Sequence, residues 1–94
     1  MITFEQVIEK SKPHGSGEGK QTIFETDKHI ISVVGGRVGL YGDFKRTFEV
    51  AIMEKPSKEF VSGKFFPDYS DSMGQVMPFI TKEQMLEVVN KMVV

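Results

Sequence analysis

The sequence predicts a single α+β domain with a four-stranded antiparallel sheet and a helix at each end, in the order α-β-β-β-β-α. Residues Thr47–Glu54 alternate apolar and polar side chains, which is the period of a half-buried strand. Residues His29–Val34 are apolar on both sides of that alternation, as in an interior strand covered above and below. These patterns place the two strands in the middle of the sheet. A chain of 94 residues can enclose one core but not two, which predicts a single domain.

Capping boxes indicate where the two helices begin. In Thr3–Gln6 and again in Thr81–Gln84, a threonine and a glutamine three residues apart can each bond the other's backbone N–H. The apolar residues that follow recur at helical spacing. We therefore predict helices at about Phe4–Lys12 and Lys82–Met92, of which the second is the better candidate to cover the sheet.

Two further strands complete the predicted sheet. Gln21–Thr26 is rich in β-favouring residues, and Phe60–Phe66 reads as an edge strand because Gly63 weakens it. Val76–Ile80 is a short extended piece that would make a fifth strand in one alternative, and Pro78 argues against a central position for it.

Composition limits the classes of function. Twelve basic and thirteen acidic side chains give a net charge of −1 and are spread along the chain. Nucleic-acid binding usually needs a concentrated basic face, so we expect none, and a weak association through Lys45, Arg46 and Lys64 is kept as an alternative. There is no cysteine, secretory signal or apolar run long enough for a membrane span. We expect a cytoplasmic protein without a membrane partner.

The motifs that suggest a chemistry fail on inspection. Gly15–Lys20 resembles a phosphate-binding loop, but the pattern needs glycine at His14 and serine or threonine at Gln21. Asp68–Phe79 has the first oxygens of a calcium loop without its glycine or its final glutamate. We therefore expect no catalytic residues, no metal and no cofactor, and a protein that is not an enzyme.

A glycine-rich connection, Gly35–Asp43, is the first candidate for a ligand surface. Its four glycines lie close to Arg37 and Tyr41, so a ligand could approach the backbone and contact a guanidinium and a phenol. The alternative is that the glycines only supply turns and bulges. A small-ligand binder or modest enzyme would have its pocket between this connection, with Asp43, and the Pro67–Gln75 loop.

Three aromatic residues within five positions, Phe65, Phe66 and Tyr69, are the candidate interface anchors. Our leading hypothesis is a small non-enzymatic protein-interaction or regulatory module, of a size that suits a phage or mobile-element accessory protein. Its partner would be another protein or a second copy of itself, because two short helices cannot cover both apolar faces of the predicted sheet.

Overall fold

The computed structural model describes residues 1–13, 19–36 and 42–93, and it confirms the α+β class. Its sheet has five antiparallel strands in the order β1-β2-β3-β4-β5, so four strands was an undercount. The elements in chain order are α1 Phe4–Glu9, β1 Lys12–Pro13, β2 Lys20–Glu25, β3 His29–Gly35, β4 Thr47–Glu54, α2 Ser62–Phe65, β5 Met77–Thr81 and α3 Lys82–Met92.

Both predicted capping boxes are present. The Gln6 backbone N–H donates to the Thr3 hydroxyl while the Thr3 N–H donates to the Gln6 side chain, and Thr81 and Gln84 do the same at α3. The predicted bounds of α3 are confirmed. Helix α1 ends three residues earlier than predicted, because the chain after it turns to pair with β2 as β1.

The core lies between the sheet and the helices. Every second side chain of the central strands faces the helices and has no exposed surface: Ile31, Val33, Phe48, Val50 and Ile52. The Phe4 ring of α1 meets Phe48 edge-on at 6.1 Å between centroids. Thr22 of β2 is also fully buried there, and its hydroxyl donates to the Val7 carbonyl of α1 at 2.7 Å. We call this face of the sheet the helix side.

One side chain joins the two terminal helices. The Ile2 backbone N–H donates to Oδ1 of Asn90 at 2.7 Å, and Nδ2 of Asn90 donates to the Ile2 carbonyl at 3.0 Å and to the Leu86 carbonyl at 2.9 Å. The Asn90 amide therefore bonds both the N–H and the carbonyl of Ile2, as the backbone of a neighbouring strand does in a β-sheet. It holds the start of α1 beside α3, so both helices belong to one layer.

The predicted fourth strand, Phe60–Phe66, is wrong over most of its length. Phe60 forms an isolated antiparallel bridge with Met53, and the Val61 N–H donates to the Ile52 carbonyl at 2.8 Å. The chain then turns into α2. This short segment continues the edge of β4 beyond the point where β5 pairs with it.

Tertiary contacts impose that turn. The Ser62 hydroxyl is fully buried, accepts from the Ile52 N–H and donates to the Gln75 carbonyl, both at 2.8 Å. The Gly63 N–H donates to the Gly74 carbonyl, and a Cβ on Gly63 would lie only 2.8 Å from the Gly74 Cα. A continued strand would break these contacts, and no local sequence pattern reveals them.

Replacing Ser62 with alanine should therefore destabilise the domain. The change leaves the Ile52 N–H and the Gln75 carbonyl without their shared partner, which we expect to cost about 1–3 kcal/mol of unfolding free energy. Urea denaturation measures it. Ser72→Ala, at an exposed serine of the same region, is the control and should change stability by less than about 0.5 kcal/mol. Equal effects of the two changes would contradict the role of Ser62.

Candidate functional site

The face of the sheet opposite the helix side carries the remaining side chains of the central strands. Strand β3 was expected to be covered on both faces, and Ile31–Gly35 are buried on both, although the described helices pack on one face only. The pairing register of the strands determines which side chains lie on the other face. Ile23 of β2 pairs with Ser32 of β3, which pairs with Ala51 of β4, and one row further along Ile30 pairs with Met53. Paired residues share a face, so these rows form a continuous surface.

Phe60 extends this surface past β4. Its bridge to Met53 puts both side chains on the same face, so Ile30, Met53 and Phe60 form an apolar row across three neighbouring segments. Phe60 is 46% exposed and Ile23 is 40% exposed, while Ile30 and Met53 are half-buried. We call the following set the open face: Ile23, Ile30, Ser32, Val34, Ala51, Met53 and Phe60.

The floor of the open face is built from smaller residues. Ser32, Val34 and Ala51 are 7%, 7% and 8% exposed, whereas the larger Ile23 and Phe60 at the sides are 40% and 46% exposed. The Ser32 hydroxyl accepts from the Gln21 side-chain amide at 2.9 Å. The centre of the open face therefore has little accessible surface, and the Ser32 hydroxyl already has a partner.

Charged residues border the open face. Lys12 pairs with Gln21, Gln21 with Val34, and Val34 with Glu49, so a basic and an acidic side chain stand at opposite ends of one row. At the other end of the strands Glu25 forms a salt bridge with Lys55 at 3.1 Å. An apolar centre with a charged border is the usual composition of a protein–protein interface.

A groove adjoins the open face at Phe60. It has a volume of about 460 Å³ and is lined among others by Phe60, Lys64, Asp71 and Met73. Met73 is 76% exposed, so the apolar surface continues from Phe60 into the groove. Gly63 and Gly74, which approach each other closely, also line this groove.

The candidate ligand loop is only partly described. Arg37 and Tyr41 lie outside the described residues. Asp43 is exposed, and its Oδ1 accepts from the backbone N–H groups of Lys45 and Arg46 at 2.8 Å and of Thr47 at 3.1 Å. These bonds hold the pKa of the Asp43 carboxyl well below its usual range, with the Arg46 N–H as the largest cause. This carboxylate organises the entry to β4.

Two of the glycines in that connection have a steric role. A Cβ on Gly35 would lie 2.8 Å from the Phe44 backbone nitrogen, and one on Gly42 would lie 2.7 Å from the Phe48 nitrogen. Real Cβ atoms do not approach so closely, so the start of β4 packs where a side chain would stand. At these two positions the structure supports the structural interpretation of the glycines.

The three candidate anchors do not share a surface. Phe66 is 6% exposed and lies in the core, where its ring stacks on Tyr69 at 5.8 Å between centroids. The Tyr69 hydroxyl donates to Glu87 of α3 at 2.6 Å, and this bond raises the pKa of Tyr69. Phe65 is 38% exposed and meets His29 edge-on at 5.2 Å. His29 alternates with Ile30, so Phe65 belongs to the helix side.

The described residues line several surface grooves. Asp43 and Tyr69 line none of three surface grooves with volumes of about 460, 500 and 140 Å³. Among residues 1–13, 19–36 and 42–93, no three acidic or histidine side chains are grouped so that they could hold a metal ion. Over the same residues, no helix has the length and apolar character needed to cross a bilayer.

The sequence predicted a second apolar face of the sheet, but none of the open-face residues was among the candidate interface residues. Strict alternation in the strands already assigns Ile23, Ile30 and Met53 to one face, so that part of the signal was available. Phe60 could not be found in this way, because its place depends on a bridge to β4 that no local pattern encodes.

Comparisons with protein-family models, curated proteins and solved structures found no match for this chain. Any functional assignment therefore depends on the geometry of the open face and its border.

Replacing Asp43 with asparagine should remove a pH-dependent part of the stability. The folded-state pKa is lowered, so the ionised carboxylate stabilises the fold fully above the unfolded value near 4 and less as the pH falls below it. The Tm of the parent protein should exceed that of Asp43→Asn by a margin that is constant above about pH 5 and shrinks towards pH 2. Thermal unfolding followed by circular dichroism measures it. A margin independent of pH would contradict the bonding described for Asp43.

Phe66→Ala should behave as a core substitution. Truncating a buried phenylalanine typically costs about 3–5 kcal/mol. Phe65→Ala is the matched control, because it removes an exposed ring with one edge contact and should cost about 1 kcal/mol. Chemical denaturation compares the two. If Phe66→Ala leaves stability unchanged, its ring is not part of the core.

Proposed function

We propose that this chain is a small non-enzymatic protein-interaction module that binds through the open face. One observation carries the proposal: the described helices all pack on the helix side, while Ile23 and Phe60 on the opposite face are 40% and 46% exposed. Contiguous apolar surface with a polar border commonly marks an interaction site.

The shape of the open face favours a broad, flat contact. Side chains of a sheet face interdigitate with those of a second layer about 10 Å away, and the exposed Ile23 and Phe60 are the side chains of this face that a second layer would cover. Phe60 stands beside the groove that contains Met73, which suits an aromatic anchor with space around it. Covering these groups removes apolar area from water and supplies the free energy of binding.

Three polar groups near the sheet have structural partners within the fold. Ser32 is bonded to Gln21, Asp43 accepts from three backbone N–H groups, and Tyr69 is bonded to Glu87. A catalytic group is usually recognised by a partner that activates it and by access to a substrate. These contacts orient the backbone and join α3 to the loop before β5.

Quantitative capture with matched variants tests the proposal. The immobilised protein is exposed to lysate of cells that naturally make it, in parallel with Ile23→Asp, Phe60→Asp and Phe65→Asp. A carboxylate at Ile23 or Phe60 puts a charge into the contact, so we expect the amount of captured partner to fall at least about tenfold. Mass spectrometry with isotope labelling measures the ratio.

Phe65→Asp is the control, because Phe65 is 38% exposed, almost the same as Ile23, but lies on the helix side. It should retain the partner. A partner lost with Phe65→Asp and kept with Ile23→Asp would contradict the proposal, and so would the absence of any protein whose capture depends on Ile23 and Phe60. Circular dichroism of each variant confirms that it is folded.

A further inference from the structure

We infer that the outer edge of β2 is a second binding site, which takes an extended acidic segment of another protein as an added strand. The site uses backbone groups at the side of the sheet and not the side chains of the open face, so the inference goes beyond the proposed function. An exposed strand edge offers unpaired N–H and C=O groups that an incoming strand can bond. Lysine side chains at this edge determine the charge of the strand that it takes.

The register of β2 shows which of its backbone groups point outwards. In an antiparallel pair, alternate residues bond the neighbouring strand, and the residues between them direct their N–H and C=O groups to the other side. The Thr26 N–H donates to the His29 carbonyl at 2.9 Å, at the end of the pairing between β2 and β3. By alternation Phe24 also bonds β3, whereas the backbone groups of Ile23 and Glu25 point away from the sheet.

Strand β1 covers only the first part of this edge. It pairs with β2 at Lys20 and Gln21 and does not reach Ile23 or Glu25. Within residues 1–13, 19–36 and 42–93, no hydrogen bond joins another group to the outward N–H or C=O of these two residues. Ile23 is 40% exposed and the Glu25 side chain is 58% exposed, so the edge is open to solvent. It therefore offers two donors and two acceptors to an added strand.

A small groove marks the place that a side chain of the added strand would take. It has a volume of about 140 Å³ and is lined by Lys10, Lys12, Gln21 and Ile23. Lys12 of β1 stands opposite Gln21, but the next position on that face, opposite Ile23, belongs to no strand because the chain arrives there from α1. An apolar side chain at this position would cover Ile23 and the stem of Lys12.

The charge available at this edge is positive. Lys12 is exposed, and Nζ of Lys10 lies 5.9 Å from the centre of the Phe24 ring, on the helix side of β2. At that distance the ring holds the ammonium group beside the edge and does not use its N–H donors, which can bond a carboxylate. The Glu25 carboxylate, at the far end of the edge, is paired with Lys55 at 3.1 Å.

The geometry of α1 leaves that positive charge in place. Glu9 lies two residues beyond the buried Val7, about 200° around the helix, so its carboxylate points away from the sheet. Lysines at an edge also discourage two identical edges from pairing, because the like charges repel. The occupant is therefore a strand of opposite charge and not a second β2. Its apolar side chains lie towards the open face, and its carboxylates alternate with them on the helix side, beside Lys10.

NMR titration of the full chain with a synthetic peptide tests the inference. The probe is an eight-residue peptide with blocked ends, in which valine and glutamate alternate. In the free protein, the N–H groups of Ile23 and Glu25 should exchange with solvent faster than that of Phe24, which bonds β3. Saturating peptide should slow the exchange of the two outward groups at least about tenfold. For so short a contact we expect a Kd between about 10 μM and 1 mM.

Altered probes separate strand pairing from simple attraction of charges. A peptide with lysine in place of glutamate should bind at least about tenfold more weakly, because it repels Lys10 and Lys12. N-methylation of the valines should also weaken binding at least about tenfold, since the valine N–H groups face β2. N-methylation of the glutamates is the control, because their N–H groups point to solvent, and it should leave the Kd within about threefold.

Charge reversal in the protein tests the two lysines. Lys10→Glu and Lys12→Glu should each raise the Kd of the valine–glutamate peptide at least about fivefold. Lys91→Glu is the matched control and should leave the Kd unchanged. Nζ of Lys91 lies over the Phe66 ring at 5.2 Å, much as that of Lys10 lies over Phe24, but it belongs to α3. Circular dichroism of each variant shows that it is folded.

The inference is overturned if the valine–glutamate peptide does not bind up to about 2 mM, or if the lysine peptide or the peptide with N-methylated valines binds equally well. Binding that leaves the exchange of Ile23 and Glu25 unchanged, or that neither lysine reversal weakens, overturns it too.

Phe60→Asp distinguishes this site from the open-face partner. Phe60 pairs with β4, two strands away from the β2 edge, so the change should reduce capture from lysate and leave the peptide Kd within about threefold. Peptide binding at the edge without a partner that depends on Phe60 would support this inference and remove the proposed function. A partner that depends on Phe60, without peptide binding at the edge, would do the reverse.

Discussion

The architecture depends on the pairing between the Asn90 side chain and the backbone of Ile2. An asparagine amide has a donor and an acceptor side by side, so it can bond the N–H and the carbonyl of one residue at once. Here that residue precedes α1, and the asparagine belongs to α3. The two helices at opposite ends of the chain are thereby held in one layer, and the described helices leave the open face without cover.

The two faces of the sheet are alike in that their buried hydroxyls are hydrogen-bonded, but they differ in the exposure of their apolar side chains. On the helix side, Thr22 is fully buried because its hydroxyl reaches the Val7 carbonyl, and on the open face Ser32 is bonded to Gln21. Buried polar groups must be paired, so neither face carries an isolated one at these positions. The helix-side residues of the central strands, Ile31, Val33, Phe48, Val50 and Ile52, have no exposed surface, whereas Ile23 and Phe60 on the other face are 40% and 46% exposed.

Local patterns predicted the elements that local interactions define. The capping boxes located both terminal helices, and alternation located β4 with its observed bounds. The predicted strand from Phe60 to Phe66 was wrong, because Ser62 and Gly63 contact residues distant in the sequence and the chain there forms a helix instead. Strand β1 was not predicted, because Lys12 and Pro13 form a strand only through their pairing with β2 and have no local preference for one.

The candidate anchors Phe66 and Tyr69 illustrate the same limit at the level of the site. Hydrophobicity shows that an aromatic residue has area to bury, but it does not show whether the core or a partner covers it. In the structure Tyr69 is fixed by Glu87 of α3, and Phe66 packs beneath it. The surface aromatic of this region is Phe60, whose position only the bridge to Met53 reveals.

The bond between Ile2 and Asn90 also bears on how the protein can be handled. It brings residues 88 positions apart in the chain into direct contact, in the layer that packs on the helix side. An affinity tag, a fluorophore or a surface anchor attached near either of them would therefore point away from the open face. Tethered molecules could display that face outward, in a common orientation, for force spectroscopy or biosensor work.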